Sequence, residues 1–181
     1  MNVLLLSENN FRNITNVSSN IQSKFVLPAI RTAQDIKFQS VVGTTLYNVL
    51  LEKVADGSLD NQYKELVDKA QMFLAYSAIA ELVVIANFKI DNIGINQTND
   101  ENARSLDVKD TFQLQQYYQN KADYYCLILQ DFIYNNLQLF PEIDDCQCRK
   151  IHSNLYSAAS CGMVLGGKRG KNPYYNNCKK H

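Results

Sequence analysis

The sequence predicts a mainly α-helical bundle with two long helices, a short extended N-terminal arm, a polar loop or hairpin between the long helices, and an extended C-terminal tail. Apolar residues recur at steps of three and four from Asn61 to about Phe88, and again from about Val108 to Leu139. Glycine and proline, which interrupt regular structure, number only seven and three among 181 residues. Most of the chain is therefore expected to be regular.

The N-terminal part is expected to hold an arm and a helical corner. Residues 1–20 join a short apolar piece to an Asn- and Ser-rich run, which is typical of an extended arm followed by a loop. Pro28 is expected in the first turn of a helix, where its missing N–H costs nothing. Gly43 is expected to end that helix, and Thr44 and Thr45 are expected to cap the next one.

The first long helix carries an unusually apolar second half, "AYSAIAELVVIANF", which predicts burial on all sides by its own domain or by neighbouring copies. Its Glu81 is expected to be an interhelical or intersubunit hydrogen-bond partner and not a general base. No apolar run approaches the roughly 20 residues that span a bilayer, so no membrane partner is expected.

The second long helix carries a double tyrosine stripe. Tyr118 and Tyr125 lie seven residues apart on the predicted inner face, and Tyr117 and Tyr124 repeat that spacing on a flanking face. Tyrosine suits half-buried positions because its ring packs while its hydroxyl remains hydrated. The stripe favours core packing and subunit contact over the stacking of bases. Between the long helices, residues 89–107 are polar, and "FKIDNIGIN" is expected to form a short hairpin.

Charge and cysteine content limit the class of protein. The chain has 18 basic and 18 acidic residues, so no overall field attracts nucleic acid or an anionic membrane. Five cysteines are an odd number, and free thiols in a reducing compartment are the simplest interpretation. The N-terminus has no basic leader and does not resemble a signal peptide, so a soluble, intracellular protein is expected.

The chain is expected to divide into a helical domain, residues 1–141, and a C-terminal docking tail, residues 142–181. The tail contains "LYSAASCGMVLGG", which is too apolar to remain solvated. Its "GMVLGGK" meets the glycine and lysine positions of a phosphate-binding loop, but Arg169 stands where a Ser or Thr must hold magnesium. Its cysteines and histidines are poorly spaced for zinc, since Cys146 and Cys148 have one intervening residue.

No catalytic residue, cofactor or metal is predicted. Both histidines lie in the tail, and no Ser/His/Asp or Cys/His set is evident, so an enzyme is not expected. Two alternatives remain open. One is a small helical nucleic-acid-binding module that uses the basic end of the tail, including Lys168 and Arg169, with its neighbouring tyrosines. The other is a nucleotide or zinc enzyme built around the tail.

The order of segments resembles a known family. An N-terminal arm leads to "FVLPAIRTAQDIKFQSVVGTTLYNVL", a long helix, a loop with "DNIGIN", a helix with "YYQNKADYYCLILQDFI", and a tail with "VLGGKRG". This layout is similar to the head–tail connector proteins of tailed bacteriophages, also called portal adaptors or neck ring proteins, and most of all to those of crAss-like phages. The shared features are patterns of packing and turns. Val42 stands where the family usually has leucine.

The resemblance implies a structural virion protein in the phage neck. The family forms rings of about twelve copies beneath the portal protein, which close because a wedge-shaped subunit associates head to tail. Such a ring extends the DNA channel, touches passing DNA non-specifically and docks other neck and tail proteins. By the same resemblance, contacts are expected from residues 89–107 and 155–172. The candidate interaction residues are Gly94, Tyr117, Tyr124, Leu165, Lys168 and Arg169.

Overall fold

The helices and strands are defined by a computed structural model that describes residues 3–91, 94–97, 107–144, 147, 148, 150, 151 and 153. In chain order they are α1 Glu8–Ile14, α2 Ser23–Thr32, a π-helical segment Ala33–Phe38, α3 Gln39–Val42, α4 Thr44–Ala55, α5 Asn61–Asn87, β1 Phe88–Asp91, β2 Gly94–Gln97, α6 Val108–Asn135 and a 3-10 turn Leu137–Leu139. The predicted mainly α-helical fold class is confirmed.

The N-terminal arm is not extended throughout, because α1 occupies Glu8–Ile14. Ser7 caps this helix by accepting a hydrogen bond from the Asn10 N–H at 3.2 Å. Its Phe11 is fully buried in the core. Seven residues do not make a stable helix alone, so tertiary packing holds this one in place. The polar composition of the region conceals that packing, which is why the sequence predicted an arm.

The helix around Pro28 begins earlier than predicted. It starts at Ser23, and Pro28 lies inside it. Proline removes one helical hydrogen bond, from its own position to the carbonyl of Lys24. Both residues are exposed, so that carbonyl remains close to solvent and the loss is tolerated. The helix continues without a break through the π-helical segment into α3.

The corner at Gly43 is confirmed. Gly43 has φ 84° and ψ 159° and ends α3, in a region of backbone conformation that only glycine adopts readily. The next helix, α4, starts at Thr44 without a side-chain cap, so the predicted capping role of Thr44 and Thr45 is wrong. Instead, the Thr44 hydroxyl accepts a hydrogen bond from Gln39 Nε2 at 3.2 Å.

Helix α5 is the centre of the fold. It packs against α6 along its length and against α2 and the π-helical segment. Its buried residues are Tyr63, Leu66, Val67, Ala70, Phe73, Leu74, Ala75, Ser77, Ala78, Ile79, Ala80, Leu82 and Asn87. Glu81 is half-buried and forms no interhelical hydrogen bond within the described part of the chain. Its expected role between subunits stays a prediction.

Helix α5 is also long and apolar enough to cross a membrane by length and composition, with a mean hydropathy of 1.5 over 18 residues. This corrects the expectation that no apolar stretch reaches that limit. More than half of that stretch, 56%, is buried against the rest of the chain. The core of a soluble helical bundle has the same composition, because a helix surrounded by other elements is apolar on all sides.

The connection between the long helices contains the predicted hairpin. Strands β1 and β2 pair antiparallel, with Phe88 opposite Gln97 and Asp91 opposite Gly94. Helix α6 follows and ends at Asn135, four residues before the predicted end. The side chain of Asn136 donates to the Phe132 carbonyl at 2.8 Å, which competes with continuation of the helix.

The first part of the predicted docking tail contacts the helical body. Ile151 is fully buried and Cys148 nearly so. Cys148 is disulfide-bonded, which corrects the expectation of free thiols, whereas Cys126 is free as expected. The number of cysteines carries no information on the distance between sulfur atoms, and that distance decides whether they pair. Residues 154–181 lie outside the described residues.

Candidate assembly surface

The corner at Gly43 is closed by a side chain from the far end of the chain. Gln147 Nε2 donates to the Ser40 carbonyl at 3.0 Å and also to the Val41 carbonyl. The last carbonyls of a helix have no partner within the helix. Gln147 satisfies two of these carbonyls in α3, while its own N–H donates to Asp144 Oδ1 at 2.7 Å. The start of the tail and the helical corner therefore form one unit.

The π-helical segment holds the N-terminal residues. Gln34 is almost fully buried. Its Oε1 accepts from the Leu5 N–H at 2.7 Å, and its Nε2 donates to the Val3 carbonyl at 3.2 Å and to the Tyr47 hydroxyl at 3.1 Å. The Tyr47 hydroxyl in turn donates to Asp35 Oδ1 at 2.5 Å. Desolvation, reinforced by Asp35, raises the pKa of Tyr47 to about 12, so this hydroxyl keeps its proton at neutral pH.

A second link joins α5 to the residues after α6. The Tyr63 hydroxyl donates to Glu142 Oε1 at 2.6 Å. Lys53 lies over the Tyr63 ring, with its Nζ 4.7 Å from the ring centroid, and forms a 2.8 Å ion pair with Asp60. Desolvation, followed by the contact with Glu142, raises the pKa of Tyr63 to about 12. The group therefore acts as a hydrogen-bond donor across the physiological range.

One side of α6 presents a row of apolar and cationic side chains to solvent. We call Tyr117, Lys121, Tyr124 and Ile128 the tyrosine stripe; their spacings of four, three and four residues place them on one face of the helix. Tyr117, Tyr124 and Ile128 are exposed, by 51%, 62% and 41%. Exposed side chains of this kind that lie side by side form a patch, and tyrosine is enriched in the patches that proteins use as interfaces.

The tyrosine stripe rests on a second layer of rings. Tyr117 meets Tyr118 edge to face at 5.2 Å, and Tyr124 meets Tyr125 edge to face at 5.4 Å. Tyr125 stacks on Tyr76 of α5 at 5.4 Å, with ring planes 6° apart. Contact with the layer beneath restricts the exposed rings, which reduces the side-chain entropy that docking on them would cost.

Lys121 sits in the middle of the tyrosine stripe. Its Nζ lies 4.5 Å from the centroid of Tyr117, 5.2 Å from that of Tyr76 and 6.0 Å from that of Tyr118. Its contact with Tyr117 raises the pKa of Lys121, so the ammonium stays charged. It forms no ion pair with another described residue. The stripe thus offers one positive charge framed by aromatic rings.

A groove of about 440 Å³ lies at the corner. We call it the corner groove, and its walls include Asp35, Ile36, Gln39, Ser40, Thr44 and Asp144. Ile36 is 62% exposed, although it lies between the buried residues of the π-helical segment. The volume falls in the range of pockets that hold a small ligand or a few inserted side chains. The groove is open to solvent, and most of its lining residues are polar.

The predicted interaction residues fall into three groups. Tyr117 and Tyr124 are exposed together on α6 as predicted. Gly94 is the first residue of β2, on the opposite side of the hairpin turn from Asp91. The three predicted residues of the tail, Leu165, Lys168 and Arg169, lie outside the described residues.

The described residues bring no metal-binding group together. No cluster of three or more His, Cys, Asp or Glu side chains occurs in that part of the chain, although most of the tail cysteines and histidines lie outside it. Burial raises the pKa of Cys126 to about 11. Its thiol is therefore protonated and a poor nucleophile at neutral pH.

A family model described as "Family of unknown function (DUF6712)" matches residues 38–153, more than half of the chain. The chain belongs to this family. The match to DUF6712 begins within the π-helical segment and includes Gly43, both long helices and Gln147, but not Gln34. No curated protein and no solved structure matches the chain.

Two contacts escaped the sequence analysis. Gln147 lies in a polar stretch of the tail with nothing to mark it as a cap. Gln34 follows an alanine within an apolar helical stripe, and a glutamine at such a position indicates a buried amide with specific partners. The sequence therefore indicated that Gln34 is buried with specific partners. It did not indicate that those partners are Val3 and Leu5.

Proposed function

We propose that this chain is a structural subunit of a phage head–tail connector, which forms a homo-oligomeric ring of about twelve copies beneath the portal. The ring extends the DNA channel and docks neck and tail proteins. It assembles in the bacterial host cytoplasm and functions in the virion. The observation that carries this proposal is the exposed tyrosine stripe on α6, held rigid by the rings beneath it.

The architecture supports a role based on shape. The corner at Gly43 sets the angle between α3 and α4, and Gln147 caps the end of α3 beside it by bonding the Ser40 carbonyl. A wedge closes into a ring only if every copy has the same angle. The buried amide network at Gln34 likewise keeps the N-terminal segment on the body. These contacts hold one shape and leave the aromatic surface free for partners.

Deletion of the gene in the encoding phage tests this function. We expect filled or empty heads and free tails that do not join, and rescue by the gene supplied in trans. Normal tailed particles from the deletion strain would contradict the proposal, as would the absence of this polypeptide from purified virions.

The alternative is a nucleic-acid-binding module. Lys121 framed by exposed tyrosines is the combination that single-strand-binding proteins use to stack bases and neutralise phosphates. As a connector subunit, the isolated protein should bind DNA weakly and without sequence preference, with affinity that disappears at moderate salt. Tight binding of single-stranded oligonucleotides that Tyr124→Ala abolishes would favour the alternative instead.

A further inference from the structure

The tyrosine stripe and the corner groove are carried by different elements that pack on α5. Helix α6, which carries the stripe, packs on α5, and so does the π-helical segment, which forms one wall of the groove. Within the described part of the chain, these two elements make no extensive contact with each other. The stripe of one copy therefore cannot fill the groove of that same copy.

The two surfaces have complementary chemistry. The corner groove contains the carboxylates of Asp35 and Asp144 and one cation, Lys150, which leaves an excess of one negative charge. The tyrosine stripe carries the single positive charge of Lys121. Exposed Ile36 in the groove and exposed Tyr124 on the stripe supply apolar area on both sides. Opposite charge with apolar contact favours association and excludes the like-charged pairings.

We propose that one copy of this chain inserts its tyrosine stripe into the corner groove of a second copy, so that the copies associate head to tail. This inference rests on the proposed ring function and names the two surfaces that build the ring. A head-to-tail contact leaves one free stripe and one free groove at the ends of every assembly, so growth continues until the ends meet. A contact between two stripes would stop at a dimer.

Sedimentation velocity over a series of concentrations tests the inference with three variants. The stripe variant combines Lys121→Glu with Tyr124→Ala, and the groove variant is Ile36→Lys. Phe112→Ala is the matched control, because Phe112 is 53% exposed on α6 but lies on the opposite side of the helix from the stripe. All the substituted side chains are at the surface, and thermal melts check that each variant remains folded.

The expected results distinguish the geometry of the contact. The wild type and the control form species larger than a dimer, and each disabled variant alone is monomeric, with association at least about tenfold weaker. The stripe variant retains a working groove and the groove variant retains a working stripe. Their equimolar mixture therefore gives a one-to-one heterodimer that grows no further. Heterodimer formation without growth is the specific signature of a head-to-tail contact.

A charge variant gives a second test. Ile36→Lys cancels the excess negative charge of the groove, so the double variant Lys121→Glu with Ile36→Lys has a negative stripe and a groove with no net charge. We expect it to associate with itself more strongly than the single variant Lys121→Glu, in which both surfaces are negative. Oligomers in either disabled variant, a mixture that stays monomeric, or a mixture that grows beyond a dimer would overturn the inference. Rings that persist in both variants would overturn it while supporting the proposed function. A wild type that remains monomeric in solution would also overturn it, and ring formation on the portal would then test the function separately.

Discussion

Gln147 and Ser40 are 107 positions apart in the sequence, and a 3.0 Å hydrogen bond joins the Gln147 side-chain amide to the Ser40 carbonyl. The same amide also bonds the Val41 carbonyl. The end of α3 is thus capped from outside the helix, at the carbonyls three and two residues before Gly43. The start of the tail therefore takes part in ending α3.

Removal of this cap should destabilise the fold. In Gln147→Ala, the Val41 carbonyl loses its donor in a buried setting and the Ser40 carbonyl loses it in a part-buried one, which costs about 1–3 kcal/mol. We expect a corresponding decrease in the free energy of unfolding, measured by urea denaturation at neutral pH. Gln113→Ala is the control, since Gln113 is exposed on α6, and its stability should match the wild type. An unchanged urea midpoint for Gln147→Ala would show that the cap contributes nothing.

Two glycines in the part of the chain that the structure describes have positive φ and allow a matched comparison. Gly43→Ala forces alanine into a glycine-only region at φ 84°, and its Cβ would lie 3.4 Å from Gln147 Cγ. At Gly57, φ is also positive, but an added Cβ would have no atom within 4 Å. Gly57→Ala therefore tests the backbone conformation without a steric contact. We expect Gly57→Ala to cost about 1–2 kcal/mol and Gly43→Ala to cost more, both measured by thermal unfolding. Equal losses at the two positions would argue against a special conformation at the corner.

Gln34 should hold the N-terminal segment on the helical body through its hydrogen bonds to Val3 and Leu5. Gln34→Leu has a similar size but cannot bond the Leu5 N–H or the Val3 carbonyl, which Gln34 reaches at 2.7 and 3.2 Å. We expect hydrogen exchange of the Leu5 amide to become about tenfold faster or more, since a buried N–H left without its partner costs about 1–3 kcal/mol and a tenfold change corresponds to about 1.4 kcal/mol. Exchange within the middle of α5 should change much less. Protection of Leu5 that equals the wild type would rule out this role.

The hydrogen bond from Tyr63 to Glu142 should make stability sensitive to alkaline pH. The folded-state pKa of Tyr63, about 12, lies above its ordinary value of 10.0. The folded protein therefore binds this proton more tightly, and the resulting stability is complete below about pH 10 and is lost as the pH rises towards 12. Tyr63→Phe has no hydroxyl to ionise, so it lacks this loss. The difference in the free energy of unfolding between the wild type and Tyr63→Phe should therefore decrease from pH 10 to pH 12.

The measurement is the free energy of unfolding of both proteins from pH 8 to pH 12. The comparison is needed because lysines also titrate in this range. Tyr47, which has a similarly raised pKa, supplies a second variant, Tyr47→Phe, with the same expected trend. A constant difference between the wild type and Tyr63→Phe at all pH values would contradict the assignment.

Local patterns predicted much of the fold. The apolar period of three and four residues placed α5 within one residue of its end, and the residue type at Gly43 predicted the corner. The same periodicity separated the exposed Tyr117 and Tyr124 from the inner face of α6. These features depend on near neighbours, which a sequence displays directly.

The features that were missed depend on distant contacts. Helix α1 exists because Phe11 reaches the core, and short polar segments give no local sign of that packing. The cap from Gln147 and the corner groove join residues more than 100 positions apart. A sequence contains the partners but not their distance, so long-range polar contacts require the folded structure.

Electron microscopy of the purified protein mixed with the portal protein of its phage tests the central claim most directly. The account predicts a closed ring of this chain bound to one end of the portal, with about twelve copies and a mass of roughly 250 kDa for the ring. Portal particles that remain bare at a large excess of this protein, with only monomers in the background, would contradict it.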